Sequence, residues 1–191
     1  MIDIDKLYHD ITSYLKEHLP GGLSYHSVEH TKYVFERVTY IASKEDVDVH
    51  HLHLLQIAAL FHDIGFIKQR IDHEDVGCVI AREWLKNDLT AKEIDVVCGM
   101  IMATKIPQSP KTKYENILAD ADLEYLGTTY FEQVGELLYL ELKYENDGLT
   151  RERWNDIQIG FISKHKYHTK FCRRYKEFRK RKNLAGLFEG H

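Results

Sequence analysis

The sequence predicts an all-α fold, a helical bundle of roughly eight or nine helices, and three observations carry that expectation. The first is the run 52–64, where Leu52, Leu54, Leu55, Ile57, Ala58, Ala59, Leu60, Phe61 and Ile64 put apolar side chains on nearly every face, as in a helix buried all round. The second is a series of segments whose apolar residues recur at helical spacing between short Gly, Pro and Asn/Asp breaks. The third is composition. A chain of 191 residues, 43% hydrophobic and 29% charged with three prolines, suits one soluble domain with a substantial core.

Taken in order, residues 4–19 form the first expected helix, with Ile4, Leu7, Ile11, Tyr14 and Leu15 inward and Pro20-Gly21-Gly22 as its stop. A second begins at Ser24 or Ser27, either of which suits an N-cap, and runs to about residue 42. His26 and His30 lie four apart at its start and so project from one face. The apolar helix 52–64 follows, with Gly65 expected to end it in the left-handed conformation and His62 and Asp63 in its last turn. His50, His51 and His53 precede it, at the end remote from Asp63, and read as exposed entry-turn residues. Asp72 is expected to cap the next helix, which carries Glu74 and Asp75 in its first turn and Val76, Val79, Ile80, Trp84 and Leu85 inward. A helix over 91–103 and a loop over 104–113 come next.

Residues 117–127 read as a helix with Leu118, Ala121, Asp122 and Tyr125 on one stripe and Asp120 about 200° away. Asp122, an acid on an apolar stripe, therefore needs a buried partner more than Asp120 does. Helices over 129–144, 150–164 and 169–187 complete the bundle, with Glu141 a candidate supporting acid and His165 and His168 surface residues.

Charge and cysteines narrow the class. The net charge is −4, yet residues 164–182 hold ten Lys and Arg against Glu177 alone. Such a run reads as a solvated helix face or as a rim that attracts phosphate, and an acidic chain is a poor nucleic-acid binder. Cys78, Cys98 and Cys172 are odd in number and lack a CxxC spacing, which suits reduced thiols in a cytoplasmic protein. Neither a signal peptide nor a membrane-spanning stretch is expected.

The chemistry centres on Asp63. A carboxylate at the end of a buried helix needs a counter-charge, and the adjacent imidazole of His62 makes a metal ion a good candidate. His30, His62, Asp63 and Asp122 come from three apolar-faced helices that should share one core, giving two imidazoles and two carboxylates. Mixed N/O donors of this kind suit Mn, Fe, Co, Ni, Zn or Mg.

These residues, in this order, resemble the HD superfamily of metal-dependent phosphohydrolases. Tyr25-His26-Ser27-Val28-Glu29-His30 is similar to the family's YHxxxH entry, Leu60-Phe61-His62-Asp63 to its namesake pair, and Ala119-Asp120-Ala121-Asp122 to its last ligand segment. With His73-Glu74, Ile101 to Thr104, Glu141 and two C-terminal segments, the resemblance extends over most of residues 23–188, and it is with a bacterial subgroup known mainly as predicted HD phosphohydrolases. It implies one HD-type domain over 1–191, with a core at about 23–127 completed by C-terminal helices at about 129–188. It also implies a divalent ion on His30, His62, Asp63 and Asp122, and a water activated there to attack a phosphorus.

Asp63 is then both ligand and catalytically required, His26 protonates the leaving oxygen or binds phosphate, and Glu74 acts as base or holds a second ion through water. His73, Lys166, Lys170 and Arg173 are expected at the substrate mouth. The expected substrate is a nucleotide or other small phosphorylated metabolite. A di-iron oxygenase and a nucleotide-sensing module with a structural metal are the other readings. The second His-His pair of cyclic-dinucleotide-cleaving members is absent, which disfavours that substrate.

Overall fold

Caps set where the helices begin, and the computed structural model describes residues 2–189. In chain order they are α1 (Ile4–His18), α2 (Val28–Ala42), α3 (Val49–Phe61), α4 (His73–Leu85), α5 (Ala91–Met102), α6 (Lys113–Asp122), α7 (Phe131–Glu145), α8 (Arg151–Lys164), α9 (Lys170–Tyr175) and α10 (Glu177–Glu189). Two 3₁₀ turns, Ile64–Ile67 and Glu124–Gly127, follow α3 and α6. Asp3, Ser27, Asp48, Thr90, Thr112, Thr150 and Thr169 each accept a backbone N–H at a helix start. Each such cap contributes about 1 kcal/mol. No strand occurs among the described residues, so the fold is all-α, with ten helices rather than eight or nine. No helix among them is long and apolar enough to cross a membrane.

The apolar run around Leu55 is explained by its neighbours. α3 packs against α1, α2, α4, α5 and α6, so it has no solvent face along its second half, and Leu55, Ile57, Leu60 and Phe61 are enclosed. A larger core formed by α1 to α6 surrounds it. A second cluster forms where α7 and α8 meet the turn after α6, through Leu123, Leu126, Phe131 and Ile162. The residues that carry the chemistry lie between these two cores.

Four local expectations are corrected. Gly65 does not end α3 in the left-handed conformation. It sits in a 3₁₀ turn against the start of α4, where a Cβ would fall 1.9 Å from the His73 carbonyl oxygen, so close approach is what requires glycine. Asp72 stands at the N-cap position but is itself left-handed (φ 55°) and makes no cap bond, because its carboxylate pairs with Lys105 at 2.7 Å. The expected helix 117–127 starts earlier, at the Thr112 cap, and changes to a 3₁₀ turn after Asp122. The expected helix 169–187 breaks at Lys176, whose carbonyl packs against Gly127 so closely that a Cβ there would lie 2.6 Å from it.

Candidate metal centre and its cavity

Three helix ends converge on one point. His30 is in the first turn of α2, His62 and Asp63 directly follow α3, and Asp122 is the last residue of α6. His62 Nδ1 donates to the Ala59 carbonyl (2.7 Å), which leaves Nε2 facing the centre. His30 Nε2 lies 3.0 Å from Asp122 Oδ1, 3.3 Å from His62 Nε2 and 3.5 Å from Asp63 Oδ2. His62 Nε2 lies 3.2 Å from Asp63 Oδ2 and 3.8 Å from Asp122 Oδ1.

Burial disfavours charge on His62, but the Asp63 and Asp122 carboxylates override it and push the imidazole up to about 9. Burial also opposes ionisation of Asp63, and His62 and His73 overcome it, holding the carboxyl well below the usual range.

Asp63 Oδ2 is buried and has no hydrogen-bond partner. An orphaned carboxylate oxygen at the meeting point of two imidazole nitrogens and a second carboxylate is what a cation site leaves behind. Ligands bonded to one ion at about 2.0–2.2 Å lie about 3.0–3.5 Å apart, close to most of the separations here. The donors therefore fit a divalent ion that takes N and O ligands.

Beside the centre, Glu141 from α7 is wholly enclosed (0% exposed). Its Oε2 accepts the backbone N–H groups of Tyr25 and His26, both at 2.9 Å. Its Oε1 accepts from His26 Nδ1 (2.5 Å) and from an Arg70 guanidinium nitrogen (2.8 Å). Burial alone would raise this carboxyl, but the His26 and Arg70 bonds hold it at about 2. The Phe66 ring packs on the imidazoles of both His26 and His73, 4.1 and 4.0 Å from their centroids, which are 6.2 Å from each other. His73 Nδ1 donates to the Arg70 carbonyl (2.9 Å), and Nε2 lies 3.4 Å from Asp63 Oδ1 and 3.5 Å from Glu74 Oε1. Burial lowers His73, but Asp63 outweighs it and the imidazole is raised.

These groups open onto a cavity of about 290 Å³, lined on one side by His26, Asp63, Arg70, His73, Glu74 and Asp122 and on the other by side chains of α7 and α8. Of the residues expected from sequence, His26, Asp63, His73, Glu74 and Asp122 line it, with His30 and His62 at the metal centre beside it. Lys166, Lys170 and Arg173 do not. Lys166 borders a separate groove with Pro107 and His168, Lys170 another with Arg37 and Tyr40, and Arg173 is exposed. Asp120, also 0% exposed, accepts from the His168 and Thr169 backbone N–H groups (both 2.8 Å) and from the Thr169 hydroxyl (2.6 Å), and so fastens the entry to α9. Asp120 therefore faces away from the centre and is committed elsewhere. Arg70 is the cavity residue that sequence reasoning missed. It lies in the aperiodic stretch before α4, and its only signal is a cation between Asp63 and His73.

An all-helical bundle that gathers two histidines and two aspartates from three helix ends defines a class of metal-site domains. The pattern of the HD domain family matches residues 27–124, just over half of the sequence, and the chain belongs to that family. The crystal structure of a predicted HD superfamily hydrolase from an uncultured Thermotogales bacterium is 24% identical, with a TM-score of 0.55 over 81% of this chain and 88% of that one. Bacillus subtilis YpgQ in complex with ADP is 18% identical, with a TM-score of 0.67 over 98% of this chain and 95% of that one. At these identities the likeness is one of fold. No curated protein matches the chain.

Proposed function

We propose that the protein is a metal-dependent phosphohydrolase that cleaves a phosphoester of a nucleotide or other small phosphorylated metabolite. The observation that carries the reading is the unpartnered buried Asp63 Oδ2 among His30, His62 and Asp122, opening onto a cavity that holds a guanidinium and two further imidazoles. Membership of the HD domain family supports it, as does a structural neighbour solved with ADP. A divalent ion on His30, His62, Asp63 and Asp122 would supply charge neutralisation at a phosphoryl group and lower the pKa of a water beside it.

The remaining work falls to the chain's own side chains. With Nδ1 held by Glu141, His26 keeps Nε2 free to donate a proton to the leaving oxygen. Arg70, fixed by Glu141 and Glu145, binds a phosphate oxygen. Glu74, 3.5 Å from His73 Nε2 on the same wall as Asp63, is the group able to accept a proton from water, and His73 orients the two carboxylates. Phe66 supports the His26 and His73 rings by packing against both.

The test is phosphate release from a panel of nucleotides, phosphosugars and simple phosphoesters, with Mn, Co, Ni or Mg added or with chelator. Release is expected only with metal, and Asp63→Ala should abolish both turnover and metal binding. Full activity of that variant, or of a preparation shown to be metal-free, would sink the reading.

A further inference from the structure

We infer that the cavity selects phosphate monoesters of apolar or aromatic groups over polyphosphates and phosphosugars. The inference rests on the phosphohydrolase reading and, of the two substrate classes named there, takes the small phosphorylated metabolite rather than the nucleotide. Its ground is the charge inside the cavity. The lining contains three carboxylates, Asp63, Glu74 and Asp122, against one permanent cation, Arg70, and no lysine. Arg70 is itself shared between Glu141 at 2.8 Å and Glu145 at 2.5 Å. Lys105 stands between the lining residues Thr104 and Ile106, yet its ammonium is drawn off to Asp72 and Asp75, at 2.7 and 2.9 Å. A divalent ion at the centre is offset by its own two carboxylates. What remains matches a single phosphate of roughly −2 charge, held by the ion and the Arg70 fork. The two imidazoles on the lining are already engaged, His26 by Glu141 and His73 by Asp63 and Glu74, so each further phosphate would meet no cation free of a carboxylate.

The facing wall decides the other half of the substrate. α7 and α8 contribute Phe131, Leu138, Leu142, Trp154, Ile157 and Phe161 among the lining side chains, and Gln158 is the only polar one they add. A sugar's hydroxyls set against this wall would give up water without gaining partners, whereas an aromatic or alkyl body would bury apolar surface on it. The cavity thus has a polar side suited to one phosphate and an apolar side suited to a carbon-rich leaving group.

The experiment compares kcat/KM of the metal-loaded protein for phenethyl phosphate, ribose 5-phosphate and ATP, and measures binding of benzylphosphonate, which cannot be hydrolysed, by calorimetry. The expected result is a preference of at least tenfold for phenethyl phosphate over each of the others. Benzylphosphonate should bind at least tenfold more tightly than pyrophosphate, and Phe161→Ala should weaken it several-fold. Ile157 is 41% exposed, so Ile157→Lys should fold and place a cation on the apolar wall. It should narrow the gap between phenethyl phosphate and ATP at least fivefold. ATP or ribose 5-phosphate cleaved as well as phenethyl phosphate would overturn this inference and leave the phosphohydrolase reading standing. Silence toward all three, with the ion verified in place, would overturn both.

Discussion

Replacing Glu141 by Gln keeps the side chain's volume and removes its charge, and the stability it loses should depend on pH. In the folded protein the carboxyl sits at about 2, against 4.5 for an ordinary Glu, because His26 and Arg70 more than offset its burial. A difference of about 2.5 units corresponds to about 3 kcal/mol of preference for the ionised form at pH 7, and Gln resembles the protonated form. The group's folded pKa is depressed, so its contribution is complete above 4.5 and disappears as the pH falls toward 2. At pH 3.5 the gap between the two proteins should have shrunk to about 2 kcal/mol. The assay is urea unfolding of wild type and Glu141→Gln at both pH values, read as midpoint and slope. A gap below about 1 kcal/mol at pH 7, or one that widens in acid, would refute the reasoning. The same variant gives His26 Nδ1 a neutral acceptor in place of a charged one and should lower kcat more than it changes KM.

Removing the ion should destabilise the fold. At free metal a hundredfold above its Kd the linkage is worth about 2.7 kcal/mol, and for a domain of this size a chelator should lower Tm by roughly 5–10 °C in a thermal scan. Gly65→Ala should cost more than about 3 kcal/mol in urea unfolding, since its Cβ would fall 1.9 Å from the His73 carbonyl oxygen and the listing of α4 away from that point would disturb His73 and Glu74. Asp120→Ala and Asp122→Ala should separate two roles by calorimetry. The first should lose roughly 3 kcal/mol of stability with metal affinity within threefold of wild type, and the second should lose metal binding.

How far the sequence could be read follows from what each residue's neighbours in the chain reveal. The unbroken apolar face of α3 announces a helix with no exposed side, and its contacts with five other helices bear that out. His30, His62, Asp63 and Asp122 stand out because charged groups on apolar stripes demand partners, and the fold brings both imidazoles within 3.8 Å of both carboxylates. Periodicity failed at Asp120. It set Asp120 off the apolar stripe, yet that side of the helix is covered by residues 168–169, nearly fifty positions away, and no local pattern reports such a covering. Of the two readings of the basic run 164–182, the solvated face holds for Lys166, Lys170 and Arg173, which are exposed and miss the cavity, because charge density in sequence says nothing of which way a segment is turned. Arg70 lies outside any helix, so neither spacing nor capping marks it.

The spacing of the acids at the end of α6 has a consequence for what counts as a working unit. Asp120 is tied to residues 168 and 169, and Glu124 is tied to Tyr33, Arg37 and Lys176, while Asp122 between them turns to the metal centre. The stretch 27–124 that matches the family pattern includes all four metal donors, yet it would strip Asp120 of its bonds to residues 168 and 169 and Glu124 of Lys176. Shortening the protein to that stretch would be felt at Asp122, and it would also remove Tyr25, whose ring lies 4.6 Å from that of His30. The last quarter of the chain acts as a splint on the ligand segment, and amide exchange in α9 should slow when metal binds far from it.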